Sequence, residues 1–165
     1  LNTLTNELKT IKDSKAHKKN IFLKIDTDSS ESNYDDIINI AYKNNIDGLI
    51  ISNTSTERPS NLTSRFCSES GGLSGKPLRD KSNEVLKLIA AKTKGEISLI
   101  GVGGISNAKD VYQKIKLGSS AVQLYTALTL EGSKIIENIK RDIVKFLKKD
   151  NFENIEQTER YEIKN

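Results

Sequence analysis

With 165 residues, 35% of them hydrophobic and 29% charged, the chain has the composition of one soluble domain with a packed core. No run approaches the roughly 18 consecutive apolar residues that span a bilayer, and no secretory leader opens the sequence. The formal charge of +4 raises the possibility of nucleic acid, but Lys140, Arg141, Lys145, Lys148 and Lys149 fall at helical spacing among Glu137 and Asp142, with few aromatics for stacking, which reads as a solvated helix face.

In chain order, residues 1–19 place Leu1, Leu4, Leu8 and Ile11 three and four apart, predicting an amphipathic helix. The lone His17 lies there among lysines, with no cluster at ligand spacing, so no metal site is expected. A strand follows at 21–25. Polar residues through Ser32 lead into a helix with Ile37, Ile38, Ile40 and Ala41 inward, ending near Asn44–Asn45. The apolar run 48–52 predicts a parallel strand covered on both faces. A long polar segment from Asn53 to about Lys81 holds Pro59, Pro77 and Gly71-Gly72-Leu73-Ser74-Gly75; a loop of that length in a compact domain is functional or disordered. Cys67 sits within it with no base beside it and reads as structural or incidental.

Ser82 is placed as the cap of a helix carrying Val85, Leu86, Leu88 and Ile89 and stopping at Gly95. The third strand, 98–102, runs into Gly103-Gly104. Ser106 or Asn107 caps a helix through Leu117, closed by Gly118. The fourth strand is 121–125, a last helix runs from about Ser133 to Lys149, and the polar tail 151–165 is expected to be loosely held. One helix and then four βα units imply a parallel sheet with right-handed crossovers. Two architectures fit: a doubly wound open sheet, or the C-terminal half of a (β/α)8 barrel over residues 1–150. A complete barrel takes about 250 residues; this chain starts at Leu1, inside a helix that would close a preceding unit, which favours a missing first half.

Gly101-Val102-Gly103-Gly104 ends one strand before a helix, where backbone can approach a ligand and free N–H groups attract phosphate. Tyr125-Thr126 ends the next. Loops after two adjacent late strands match the phosphate site of such barrels. A dinucleotide fingerprint fails twice: Ser106 stands where a third glycine is needed, and Tyr125-Thr126 where an acidic residue is needed. Glycines kept only for tight packing are the other reading. Lys24, in the apolar strand Ile21-Phe22-Leu23-Lys24-Ile25, either points at an anion or faces water from an edge strand. Ser52-Asn53-Thr54 can read a planar heterocycle or cap a turn.

The series Asp47-Gly48-Leu49-Ile50-Ile51-Ser52-Asn53-Thr54, then Gly71-Gly72-Leu73-Ser74-Gly75-Lys76-Pro77-Leu78, then Ile100-Gly101-Val102-Gly103-Gly104-Ile105, then Gly118 and Val122-Gln123-Leu124-Tyr125-Thr126, resembles dihydroorotate dehydrogenase over about residues 20–148. Lys76-Pro77-Leu78 and Gln123-Leu124-Tyr125 resemble the quinone-linked class more than the soluble one. The resemblance implies a TIM barrel with FMN at its C-terminal mouth, oxidising dihydroorotate to orotate in pyrimidine (UMP) biosynthesis with quinone as acceptor. By motif, Lys24, Ser52, Gly75, Gly104, Tyr125 and Thr126 would contact FMN, the last three at its phosphate and Lys24 at its ring. Asn53 and Thr54 would hold dihydroorotate or orotate.

The family's catalytic serine lies upstream of Leu1, as do the helices that attach such enzymes peripherally to a bacterial or mitochondrial inner membrane and receive quinone; no catalytic residue is assigned in this chain. The missing N-terminal half is thus a possible partner, and the isolated chain is expected to be inactive. The family's Ala-Pro after the strand lysine is here Asp26-Thr27. If the strand continues, Asp26 shares a face with Lys24 and weakens it. The alternative is a non-catalytic remnant or half-barrel of a split or decayed gene, with unpaired sheet edges. Another phosphate-binding barrel enzyme is a third reading, disfavoured by the Gly-Gly-Leu-Ser-Gly and Ser-Asn-Thr motifs.

Overall fold

A computed structural model of the chain describes residues 19–164 together with Thr3, Asn6, Glu7 and Thr10. The apolar positions of the helix predicted over residues 1–19, and His17, lie outside the described residues. Four parallel strands, β1 (Phe22–Ile25), β2 (Gly48–Ile51), β3 (Ser98–Val102) and β4 (Ala121–Gln123), form one sheet in the order β1-β2-β3-β4. That order decides between the two architectures left open by the sequence. A doubly wound sheet reverses direction at a switch point, whereas strands laid down strictly in sequence by right-handed crossovers keep their helices on one side, as in part of a barrel.

From residue 19 onward the helices are α1 (Glu31–Lys43), α2 (Arg79–Thr93), α3 (Ala108–Lys116), α4 (Thr126–Glu131), α5 (Lys134–Lys149) and a short α6 (Tyr161–Lys164). Alternation along the strands sorts the sheet into two faces. Ile25, Leu49, Ile51 and Leu99 pack under Tyr34, Ile38 and Ala41 of α1 and Val85, Leu86, Ile89 and Ala90 of α2. Each large aliphatic side chain buried here contributes about 1.5–3 kcal/mol before chain entropy is subtracted. A second cluster joins Val111 and Ile115 of α3 to Ala127 of α4 and Ile135 and Ile139 of α5. On the opposite face Phe22 and Lys24 are exposed, while Ile50, Ile100 and Val102 are half-buried. The run 48–52 is therefore covered on one face only among the described residues, because Ile50 looks into what would be the barrel interior.

Three local expectations change. Ser82 does not cap α2: the helix begins at Arg79, fed by a 3₁₀ turn Lys76–Leu78 carrying Pro77, so Ser82 falls inside it and is fully buried. The fourth strand stops at Gln123, and Thr126–Glu131 forms a helix the sequence reading missed, because it lacks a side-chain cap and is only six residues long. The tail is docked rather than loose. Thr158 is buried, the Arg160 backbone N–H donates to the Ile115 carbonyl (3.2 Å), and its guanidinium donates to the Ala90 carbonyl (2.6 Å). The side chain of Gln113 donates to Glu162 (2.8 Å). These bonds tie the tail to the C-terminal ends of α2 and α3, where the Ala90 and Ile115 carbonyls also accept the N–H groups of Lys94 (3.2 Å) and Gly118 (2.9 Å).

Candidate functional site

Parallel pairing puts the C-terminal ends of all four strands along one rim, and there they enclose a cavity of about 170 Å³. All eight residues singled out from the sequence line it. Lys24 comes from β1, Ser52, Asn53 and Thr54 from the end of β2, Gly104 from beyond β3, and Tyr125 and Thr126 from beyond β4. Gly75 arrives from the long segment after β2.

Lys24 is exposed toward this space and forms no ion pair among the described residues. The expected pairing with Asp26 does not occur. The strand ends at Ile25, and the Asp26 carboxylate turns back to accept from the Asp28 backbone N–H (2.8 Å) and the Ser29 hydroxyl (3.2 Å). A carboxylate two residues before a free amide closes an Asx turn, and that local bond wins over strand continuation.

Beyond β2 the peptide joining Ile51 to Ser52 is cis. Ser52 is buried, its hydroxyl donating to the Asn53 carbonyl (3.0 Å), and its N–H reaches the Val102 carbonyl (3.3 Å). Asn53 donates its backbone N–H to the Ile25 carbonyl (2.8 Å), leaving the Asn53 and Thr54 side chains exposed at the rim. The segment that follows is ordered by two devices with little sequence signal. Ser55 and Leu73 form an antiparallel bridge, with bonds of 3.2 and 2.7 Å, that lays Gly72 on Thr54. Arg58 donates to the carbonyls of Cys67 (3.1 Å), Glu69 (3.0 Å), Gly71 (2.7 Å) and Thr56 (3.0 Å), so one guanidinium fork gathers both arms of the loop. Arg58→Lys is expected to cost only about 1 kcal/mol globally, since these bonds are solvent-exposed. It should nevertheless open residues 56–72, read as faster limited proteolysis within that span and unchanged cleavage elsewhere.

The Gly103-Gly104 turn has φ of +99° and +74°. A Cβ on Gly104 would strike the backbone of Arg79. The amides of Gly104 and Tyr125 have no acceptor among the described residues. The α3 N-terminus, which the sequence offered as a phosphate attractor, is instead satisfied by its own chain. Asn107 accepts from the Asp110 N–H (3.0 Å), and Asp110 accepts from the N–H and hydroxyl of Ser106 (2.9 Å each). With Asp110 bonded across its first turn, that helix end is a poor anion site, and the nearby amide without an acceptor is that of Gly104 in the preceding turn. On the other side the Thr126 hydroxyl donates to the Ser74 hydroxyl (3.1 Å), joining the Gly-Gly-Leu-Ser-Gly segment to the end of β4. The arrangement offers an unpaired cation on one wall, unpaired amides on another and neutral amide and hydroxyl side chains between them. That combination suits an anionic group attached to a planar polar ring.

A family model described as dihydroorotate dehydrogenase matches residues 2–147. The mitochondrial dihydroorotate dehydrogenase (quinone) of Mus musculus is 44% identical over 138 residues, covering 84% of this chain and 35% of that protein. The dihydroorotate dehydrogenase (quinone) of Natronomonas pharaonis is 39% identical over 136 residues, covering 82% of this chain and 38% of that protein. Among solved structures, that of DHODH from Eimeria tenella in complex with ferulenol superposes with a TM-score of 0.85 at 30% identity, over 90% of this chain and 40% of that one. The chain thus spans well under half the length of these relatives.

Proposed function

This chain belongs to the dihydroorotate dehydrogenase family, and from that premise we propose that it supplies the phosphate-gripping and ring-facing walls of an FMN site in an enzyme oxidising dihydroorotate to orotate with quinone as acceptor. One observation carries the reading: four strand ends bring the unpaired ammonium of Lys24 and the unpaired amides of Gly104 and Tyr125 to a single cavity. The site's chemistry fits the cofactor. Gly103 and Gly104 pack against Ser82 and Arg79 where a Cβ would stand, so the turn lies close on α2, and amides with no acceptor call for an anion.

In this reading Gly104, Tyr125 and Thr126 hold the phosphate, while Ser52 and Gly75 bound the ring. Lys24 presents positive charge to it, and Asn53 and Thr54 orient the dihydroorotate ring through their amide and hydroxyl groups. FMN, when bound, supplies the hydride acceptor. The proton lost with the hydride goes to a base outside this chain, the serine that the family places upstream. Quinone and the membrane likewise belong to the remainder of the family's length; among the described residues no helix is long and apolar enough to cross a membrane.

The test is titration of the full chain with FMN and with riboflavin, followed by flavin fluorescence. FMN is expected to bind at least about tenfold tighter, the value of one or two charge-assisted amide bonds to phosphate. Equal affinity for the two flavins would remove the phosphate site. Lys24→Met is expected to weaken FMN by about tenfold and to change stability by less than about 0.5 kcal/mol, because the side chain is exposed and unpaired. Addition of dihydroorotate is expected to leave bound flavin oxidised; bleaching would place a competent base within this chain.

A further inference from the structure

Lys114 is the most deeply enclosed charged side chain among the described residues. It has no accessible surface, yet no carboxylate of the described residues lies within ion-pair distance of its ammonium. Its partners are neutral: the Ser82 hydroxyl at 2.8 Å and the Asn83 side-chain carbonyl at 2.9 Å. Burial pushes the ammonium down to about 8, with Asp110 opposing the shift, so it remains protonated at neutral pH. A leucine or methionine would fill this space with no desolvation cost, so the charge calls for a use beyond packing.

We propose that Lys114 is a positioning residue for anion binding: through Ser82 it fixes the Gly103–Gly104 peptide so that the Gly104 amide is presented to the cavity. The inference rests on the reading of that cavity as a phosphate site. An ammonium has donors and no acceptor, so Ser82 must accept from Lys114 and turn its single proton outward. That proton is shared between the carbonyls of Arg79 (2.9 Å) and Gly103 (3.0 Å), a three-centre bond with Gly103 as one of its two acceptors. The 103–104 peptide is trans, so its C=O and N–H point in opposite directions. Holding the Gly103 carbonyl toward α2 therefore aims the Gly104 N–H away from α2, and that N–H is one of the amides without an acceptor.

The glycines of the motif are consistent with this route. A Cβ on Gly101 would meet Lys114 Cδ and Ser119 Oγ at 3.0 Å, so Gly101 leaves room for the lysine stem. One on Gly103 would meet the Ser82 Cβ at 3.0 Å, so Gly103 allows the hydroxyl to reach its carbonyl.

The experiment uses the full chain, isotopically labelled, in four forms: unaltered, Lys114→Met, Ser82→Ala and both together. Without ligand, each single change is expected to move the Gly103 carbonyl carbon and the Gly104 amide nitrogen resonances, and the double change no further than Lys114→Met. Unmoved Gly103 and Gly104 resonances overturn the proposal. Ser82→Ala alters one hydroxyl and keeps the test open if Lys114→Met fails to fold. With ligand, Lys114→Met is expected to weaken FMN by about tenfold and riboflavin by less than about twofold; equal losses overturn the proposal. A chain that takes up no flavin, but whose Gly104 amide responds to inorganic phosphate until Lys114→Met abolishes the response, supports the link and overturns the flavin reading.

Discussion

Gly104→Ala is expected to lower stability by about 2–4 kcal/mol and to abolish FMN binding. Two costs add. At φ of +74° an L side chain meets its own backbone, about 1–2 kcal/mol. The new methyl would also run into the Cα, Cβ and N of Arg79, the last at 2.6 Å. Two of those three atoms are backbone at the start of α2, so they cannot rotate aside as the end of a flexible chain would, and overpacking of this kind costs about 1–3 kcal/mol. Relief requires the β3–α3 turn to part from α2, which carries the Gly104 amide away from the cavity. Gly132→Ala separates the two contributions. It has φ of +72° and ψ of −177° with nothing within 4 Å of the added Cβ, so it should report backbone strain alone, about 1–3 kcal/mol. Denaturant unfolding of both variants, with FMN titration of each, decides the matter. Equal destabilisation would show that the contact with Arg79 relaxes freely.

Asp28→Ala is expected to cost about 2–3 kcal/mol, and Asp28→Asn about half of that, on the usual worth of partly exposed carboxylate bonds. The Asp28 carboxylate receives the Ser55 hydroxyl (2.7 Å), the Thr56 N–H (2.7 Å) and hydroxyl (2.9 Å), and the Lys81 ammonium (2.7 Å). It thereby ties the exit of β1 to the root of the long loop and to the first turn of α2. Burial opposes its ionisation, but the bonds from Lys81, Ser55 and Thr56 outweigh burial and hold the carboxyl well below the usual range. A carboxyl depressed in the folded state contributes stability that is complete above its unfolded value, near 4, and is lost as pH falls toward the folded value. The unaltered chain should therefore lose stability steadily below about pH 4. Asp28→Asn should flatten that part of the profile while lowering the plateau near neutrality. Superimposable acid limbs for the two chains would show that the depression is not realised in solution. Lys81 keeps a second partner, Glu57 at 2.7 Å, so the loss at Asp28 does not strand a charge.

The residues that gather at the rim share a physical basis. Strand and helix alternate by period, and parallel strands deliver their C-terminal ends to one rim; polar or glycine residues just past an apolar strand must therefore meet there. Ser52–Thr54, Gly104 and Tyr125–Thr126 follow from that rule and gather at one cavity, which Lys24 joins from within β1. Gly75 was legible only through its motif, because it reaches the rim by way of the Ser55–Leu73 bridge and the Arg58 fork, contacts 18 and 13 residues apart in sequence.

What period and composition could determine was the order of elements, the parallel sheet and the chemistry at the strand ends, since each depends on neighbours a few residues away. Tertiary structure alone decided the burial of Lys114 and Ser82, the turning of Asp26 away from Lys24, and the docking of Thr158 and Arg160. A lysine on a helix full of lysines reads as solvated; only the missing side chain of Gly101, on a strand across the layer, makes room to enclose it. Whether a polar group meets water or a partner is set by what packs opposite it, and that partner is distant in sequence.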